Sequence, residues 1–257
     1  MHGGDEPAFF REAVHSIHAS VVAPVEVVIC QDGVLPADLA AEVAAAVRAE
    51  ARVVVNPGPR GLHHNLNNAL PQVKTSWIAR CDADDTNAPD RFLRQASHLA
   101  EHPDVGVLGG DLIEFWPDGR TRSKVMPLEH ADIVAWAQWR CPINHNTAFY
   151  RGEDVLAAGG YPHLPSKEDY GLWLKLIARG VRFANLRADL VRARLGEGFY
   201  GRRAGTKNLA SEWHVYRLKR EIPSLAGPAA AVAWAARSAI LASARLSRVV
   251  YELALRH

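Results

Sequence analysis

Apolar positions recur along the chain in short runs whose period switches between that of a helix and that of a strand. Phe10, Ala13, Val14 and Ile17 fall at helical spacing. Val25 to Cys30 is a β-branched run ending in Gln31-Asp32-Gly33, which reads as a buried strand and a turn. Leu39, Val43 and Val47 mark a second helix, and Arg52 to Val55 a short strand broken by Asn56-Pro57-Gly58-Pro59. Leu62, Leu66 and Leu70 predict a third helix. Ser76 to Cys81 predicts a strand that runs straight into Asp82-Ala83-Asp84-Asp85, after which Pro89 opens another helix. Val105 to Leu108 and Asp111 to Trp116 read as two further strands.

After residue 120 the pattern loosens. Thr147 to Tyr150 reads as a strand behind Pro142-Ile143-Asn144-His145-Asn146. Leu172, Trp173, Leu176 and Ile177 share a helix face that begins after Ser166 and stops at Gly180. Two helical segments follow Leu209, separated near Pro223. Strands alternating with helices predict an α/β fold whose mostly parallel sheet is flanked by helices. Ligands bind such sheets beyond the carboxyl ends of the strands.

Composition adds limits. The 257 residues suffice for one α/β domain and a small appendage. A hydrophobic share of 48% with 23% charged residues excludes global disorder, and a net charge of +2 gives no case for nucleic acid. Cys30, Cys81 and Cys141 have neither zinc nor redox spacing, which fits a reducing, cytoplasmic compartment. No apolar signal core opens the sequence. The apolar stretch from Ala226 to Leu255 is interrupted by Arg237, Arg245 and Arg248, as in a basic amphipathic tail that lies on the inner face of a membrane rather than crossing it.

Two acidic features carry the candidate chemistry. Asp82, Asp84 and Asp85 repel one another unless a cation neutralises them, and oxygen ligands suit Mn²⁺ or Mg²⁺. The competing reading is a charged turn leading into a helix. Glu168-Asp169 opens the helix after Ser166. Ser166 and Asp169 have capping-box spacing, so a structural role competes with that of a general base. Arg202-Arg203 follow a Gly-rich stretch that either closes over a diphosphate or is simply solvated. His15, His18, His63, His64 and His163 show no ligand spacing.

In this order the features resemble the family 2 glycosyltransferases, especially the amylovoran-type branch that builds bacterial surface polysaccharide. The resemblance runs over roughly residues 5–205. It rests on Phe10 to Val14, Val27 to Gly33, Arg60-Gly61-Leu62 with Leu66-Asn67, and Ile78 to Asp85. It continues through Pro89 to Phe92, Val107 to Gly110, Pro142 to His145, and Glu168-Asp169-Tyr170 with Leu172-Trp173-Leu174.

The resemblance implies a GT-A fold, a Rossmann-like nucleotide-binding domain over 1–205, with a helical extension over 206–257. It implies an inverting, metal-dependent transfer from a nucleotide-sugar, a UDP-sugar, to a glycan or lipid-linked acceptor. Asp32 would contact the base and Asp82 the ribose, with Arg60, Arg202 and Arg203 as further donor contacts. Asp84 would bind Mn²⁺ or Mg²⁺, with His145 near the metal or diphosphate. Asp169 would be the base, with Glu168 beside it. The family's usual opening strand has no counterpart here, where the sequence starts at Met1-His2-Gly3-Gly4, so the expected domain lacks that strand. Two other readings compete. A sugar-phosphate nucleotidyltransferase would need a Gly-rich basic loop near the N-terminus, and a non-catalytic nucleotide-sugar binder would need no base.

Overall fold

A computed structural model describes residues 1–48, 51–58, 60–196 and 207–242. Helix α1 (Pro7–His18) has Pro7 in its first turn, where a missing N–H costs nothing, and buries Phe10 and Ala13. Strand β1 (Val27–Asp32) pairs in parallel with β2 (Ala51–Asn56), and α2 (Ala37–Arg48) crosses between them. Phe10, Ile29, Leu39, Val43, Ala46 and Ala51 form the core of this half, and Ala83 packs against it. The free edge of β1 meets the chain start: the Met1 ammonium donates to Cys30 O at 2.8 Å, and Asp32 N donates to Met1 O at 2.9 Å.

The second sheet is built on two long strands. Its order is β3 (Trp77–Ala79), β7 (Phe149–Arg151), β5 (Val105–Phe115), β8 (Arg182–Arg194), β4 (Thr86–Asn87), with β6 (Thr121–Lys124) also on β5. The two segments expected on either side of residues 109–110 are one continuous strand, β5, whose register against β8 shifts at Gly110/Asp111.

The sheets combine parallel and antiparallel pairs, and the longest ladders are the parallel ones. Only β1–β2 and β5–β8 run parallel among the described residues; β3–β7, β4–β8, β5–β6 and β5–β7 are antiparallel. For β5–β6 the reason is connection length. β5 turns straight back into β6 through Pro117-Asp118-Gly119, where Gly119 holds φ +86°, and a parallel return needs a crossover of a dozen or more residues.

Helices α3 (Leu62–Ala69), α4 (Arg91–Glu101), α5 (His130–Trp136), α6 (Gly152–Ala157) and α7 (Glu168–Ala178) pack around this sheet. Leu172, Trp173, Leu174 and Leu176 of α7 are fully buried in the main core with Val107, Tyr150 and Phe183. Beyond 206, α8 (Lys207–Arg220) places Val215 in the same core, as do Ile222 and Leu225 after it, so the helical extension shares its core with the domain it follows. Helix α9 (Pro228–Ala242) rests on α8 through buried Ala230 and Ala233. No described helix is long and apolar enough to cross a membrane.

Candidate active site

Strand β3 ends at Ala79 and delivers a loop that is pinned from both sides. Arg80 N donates to Ala148 O at 2.8 Å, which continues the β3–β7 ladder one residue further. The buried Arg80 side chain folds forward, so that its guanidinium pairs with the Asp82 carboxylate and donates to Cys81 O. Arg91, in the first turn of α4 and 0% exposed, donates to Arg80 O at 2.9 Å, to Gln95 Oε1 at 3.1 Å and to Asn87 Oδ1. Asp85 is buried and accepts from Asn146 Nδ2 at 2.5 Å and Arg194 N at 2.8 Å. Asp82 and Asp85 therefore serve protein partners, while Asp84 is left exposed at the rim.

The three acids differ in charge state. Burial favours the neutral form of Asp82, but the Arg80 charge and hydrogen bond, with His145 and the chain's first ammonium, together outweigh it and hold the carboxyl below its usual range. Asp84 is pushed up, by lost hydration within the cleft and then by the Asp82 and Asp5 carboxylates. Asp85 is pushed up to about 7 by burial and by Asp82, against the donors it receives. The loop is thus short of positive charge even with Arg80 present.

The facing wall comes from the segment before β7 and from α7. His145 opens a 3-10 turn, and its Nε2 lies 3.0 Å from Tyr161 Oη, which lies 3.2 Å from Tyr150 Oη. Burial and the Arg80 charge lower the imidazole to about 4, so it is neutral at pH 7. Helix α7 starts after Lys167, which takes a left-handed turn at φ +65°.

The capping box that competed with a catalytic role does not form. The N-cap residue, Lys167, makes no side-chain cap bond, and Ser166 Oγ donates instead to Asn208 Oδ1 at 2.6 Å. Asp169 Oδ1 accepts from Tyr170 N at 2.7 Å, and its Oδ2 accepts from Cys141 Sγ at 3.5 Å. Burial, then the Asp169 charge, raises the Cys141 thiol well above its ordinary value, so it stays a donor. Glu168 is pushed up to about 7 by burial and by Asp169.

One cavity of about 2040 Å³ is lined by Arg80, Asp82, Asp84, His145, Glu168 and Asp169, and it extends between β1 and β3. Asp32 and Arg60 are not among its lining residues. The buried Asp32 carboxylate instead accepts from Arg60 N and Gly61 N, both at 2.9 Å, and so fixes the turn that starts α3. Arg202 and Arg203 lie outside the described residues. Nor are Asp84 and His145 part of a ready-made metal cage. Among the described residues, Asp82, Asp84 and His145 do not converge as a set of ligand atoms, because Asp82 is held by Arg80 and His145 by Tyr161.

The structure adds residues that sequence reasoning missed. Arg80 is one, and a lone arginine at the end of the apolar run Trp77-Ile78-Ala79 was its signal. Lys167 is another. It pairs with buried Glu212, which Arg237 also approaches at 3.6 Å, and burial followed by the Arg237 and Lys219 charges lowers its amine to about 7.

Comparison with known proteins identifies the family. The family model described as glycosyl transferase family 2 matches residues 5–158. An amylovoran biosynthesis glycosyltransferase, AmsE, from Erwinia amylovora is 33% identical over 85% of this chain and 83% of its own length. A UDP-Gal:alpha-D-GlcNAc-diphosphoundecaprenol beta-1,3-galactosyltransferase from Escherichia coli is 31% identical over 83% of this chain and 80% of its own length. The mannosyltransferase PcManGT of Pyrobaculum calidifontis, solved with GDP-Man and Mn²⁺, has a TM-score of 0.62 at 18% identity, covering 99% of this chain and 78% of that one. That last likeness speaks for the GT-A fold alone. The chain belongs to glycosyl transferase family 2 and is a glycosyltransferase.

Proposed function

We propose that this glycosyltransferase moves a sugar, with inversion, from a nucleoside-diphosphate sugar to a lipid-linked or glycan acceptor, and that Asp169 is the base. One observation carries the reading. The carboxylates at the start of α7, which form no capping box with Ser166, line the same cavity as the Asp82–Asp85 loop. Asp169 would accept the acceptor hydroxyl proton while that oxygen bonds to the anomeric carbon and the bond from that carbon to the diphosphate oxygen breaks. Tyr170 N and Cys141 Sγ donate to its two oxygens and hold them in place. Glu168, at about 7, is half protonated at neutral pH and adds only part of a charge beside it.

The residues fit a divalent cation. Asp84 is exposed, offers oxygen, and has its pKa raised partly by neighbouring carboxylates whose repulsion a cation would relieve. Asp84 would hold Mn²⁺ or Mg²⁺, with neutral His145 near it, and the ion would offset charge on the departing diphosphate. Asp82, fixed by Arg80, would meet the ribose. The base would lie against the turn that Asp32 builds with Arg60 and Gly61, and Arg202 and Arg203 would close over the diphosphate.

A UDP-sugar is the favoured donor and a diphospholipid-linked sugar the favoured acceptor, by analogy with the Escherichia coli relative. Such an acceptor would call for the chain to work in the cytoplasm, at the inner membrane face. Asp169→Asn tests the reading: UDP-sugar and Mn²⁺ affinity should stay near normal while transfer falls by roughly 10²–10⁴-fold. Near-normal transfer would remove Asp169 from the mechanism.

A further inference from the structure

Away from the acidic loop, three histidines far apart in sequence meet at one point. His63 and His64 lie in the first turn of α3, and His163 lies in the segment between Tyr161 and α7. One ligand atom from each falls within 4.8 Å of the other two, and among the described residues no other three His, Cys, Asp or Glu groups do so. His63 Nε2 lies 2.6 Å from His163 Nδ1. The ring centroids stand 4.4 to 5.1 Å apart, with His163 edge-on to both partners.

Nitrogens around a tetrahedral Zn²⁺, each 2.0–2.1 Å from the ion, lie about 3.3 Å apart. From 2.6 Å in the close pair and at most 4.8 Å to His64, reaching that spacing requires the pair to open by about 0.7 Å and His64 to swing in by up to about 1.5 Å. His64 is half-buried and His163 is exposed, so both have room to move.

The backbone beneath the cluster is already fixed. Asn67, one helical turn after His63, donates from Nδ2 to Tyr161 O at 2.8 Å and accepts from Tyr161 N at 2.8 Å. Gly160 makes this approach feasible: it holds φ +68°, and a Cβ there would collide with Asn67 Oδ1. The two segments that carry the histidines are therefore docked before any ion arrives, which limits the ordering cost of binding.

We propose that His63, His64 and His163 form a site for a Zn²⁺-class transition ion, with water as the fourth ligand. It is separate from the oxygen site at Asp84 and does not depend on the glycosyl-transfer reading. Three imidazoles favour Zn²⁺, Co²⁺ or Ni²⁺ over the hard ions that carboxylates select. An ion here would clamp α3, which starts on the Asp32 turn, to the segment that leads into Glu168 and Asp169.

The test uses the full chain, stripped with a chelator and then titrated with Zn²⁺ against a chromophoric competitor, and with Co²⁺ by visible absorption. The expected result is one Zn²⁺ equivalent and tetrahedral Co²⁺ bands. Both should weaken by at least roughly 10–100-fold in His64→Ala and in His163→Ala. Asp84→Ala should leave both unchanged. These two histidines are used because His63 is buried and its loss could disturb α3. Failure of the wild-type chain to bind Zn²⁺, or full retention of the ion in a His64→Ala/His163→Ala double variant, would overturn the proposal.

Discussion

The Arg80 guanidinium pairs with the Asp82 carboxylate inside the loop that carries the acidic cluster, with the Arg80 side chain 7% exposed and that of Asp82 36% exposed. The pair supplies positive charge that the loop otherwise lacks. Arg80→Leu should cost about 3 kcal/mol, the low end for breaking a buried pair, because Asp82 keeps part of its hydration. The deserted Asp82 would then bind a proton more readily when folded than when unfolded. The deficit should therefore shrink as pH falls, and Asp82→Asn added to Arg80→Leu should recover much of it. Denaturant melts of the single and double variants at pH 5 and 8 check this, and additive losses would show that the pair does not couple.

Asp84 bears no such structural duty. Asp84→Ala should change metal-free stability by no more than about 0.5 kcal/mol, as for an exposed position. The difference should appear with Mn²⁺. An ion at 100 times its dissociation constant adds about 2.7 kcal/mol to the wild type and nothing to a variant that cannot hold it. Thermal melts with and without Mn²⁺ and UDP would show the effect. An equal Mn²⁺ shift in both proteins would place the ion elsewhere.

What the sequence revealed and what it hid follow from the range of the interactions. Helix α7 was legible because Leu172, Trp173, Leu176 and Ile177 repeat at helical period within a few residues. The acidic loop was legible because it directly follows an apolar strand. Strand β8 was missed, since Arg187, Asp189, Arg192 and Arg194 break its apolar run. Three of these find distant partners: Arg187 with Asp111 at 2.9 Å, Arg194 with Glu12 at 2.6 Å, and Asp189, which accepts from Ser123 Oγ at 3.3 Å. Asp32 was correctly singled out at a strand end, but its acceptance of the Arg60 and Gly61 amides, 28 and 29 residues on, is tertiary. The meeting of His63 with His163 spans 100 residues and leaves no local spacing to read.

The basic tail needs a sharper version of the membrane expectation. Arg237 does not face outward: it donates to Trp139 O at 3.1 Å and approaches Glu212. Arg245 and Arg248 lie outside the described residues. The feature of α8 and α9 that fits an interface is aromatic, with Trp213, Tyr216 and Trp234 packed at 5.3 to 5.6 Å and Trp213 48% exposed. Amphipathic rings suit the headgroup level of a bilayer. Binding to anionic vesicles should drop several-fold in Trp213→Ala with the fold unchanged. Equal co-sedimentation of variant and wild type would separate this face from any membrane contact.

Glu168 gives the pH dependence its sign. Its carboxyl sits at about 7 in the folded chain against an ordinary value of 4.5, through burial first and the Asp169 charge second. Between those two values the folded state holds a proton that the unfolded state has lost, so this residue makes stability fall as pH rises through the window. The penalty is absent below pH 4.5 and complete above pH 7. Lys167, lowered to about 7, acts only above that pH, because it is charged in both states below it. Asp85, also at about 7, has the same sign as Glu168, so the wild-type slope alone cannot be assigned to one residue. Glu168→Gln isolates the contribution. The variant should match the wild type near pH 4 and exceed it by about 1–3 kcal/mol at pH 8, the upper figure being the whole shift converted to energy. Urea unfolding of both proteins from pH 4 to 8 measures the difference. A constant offset across that range would mean that Glu168 is already ionised at low pH and does not share the Asp169 wall in the way the structure places it.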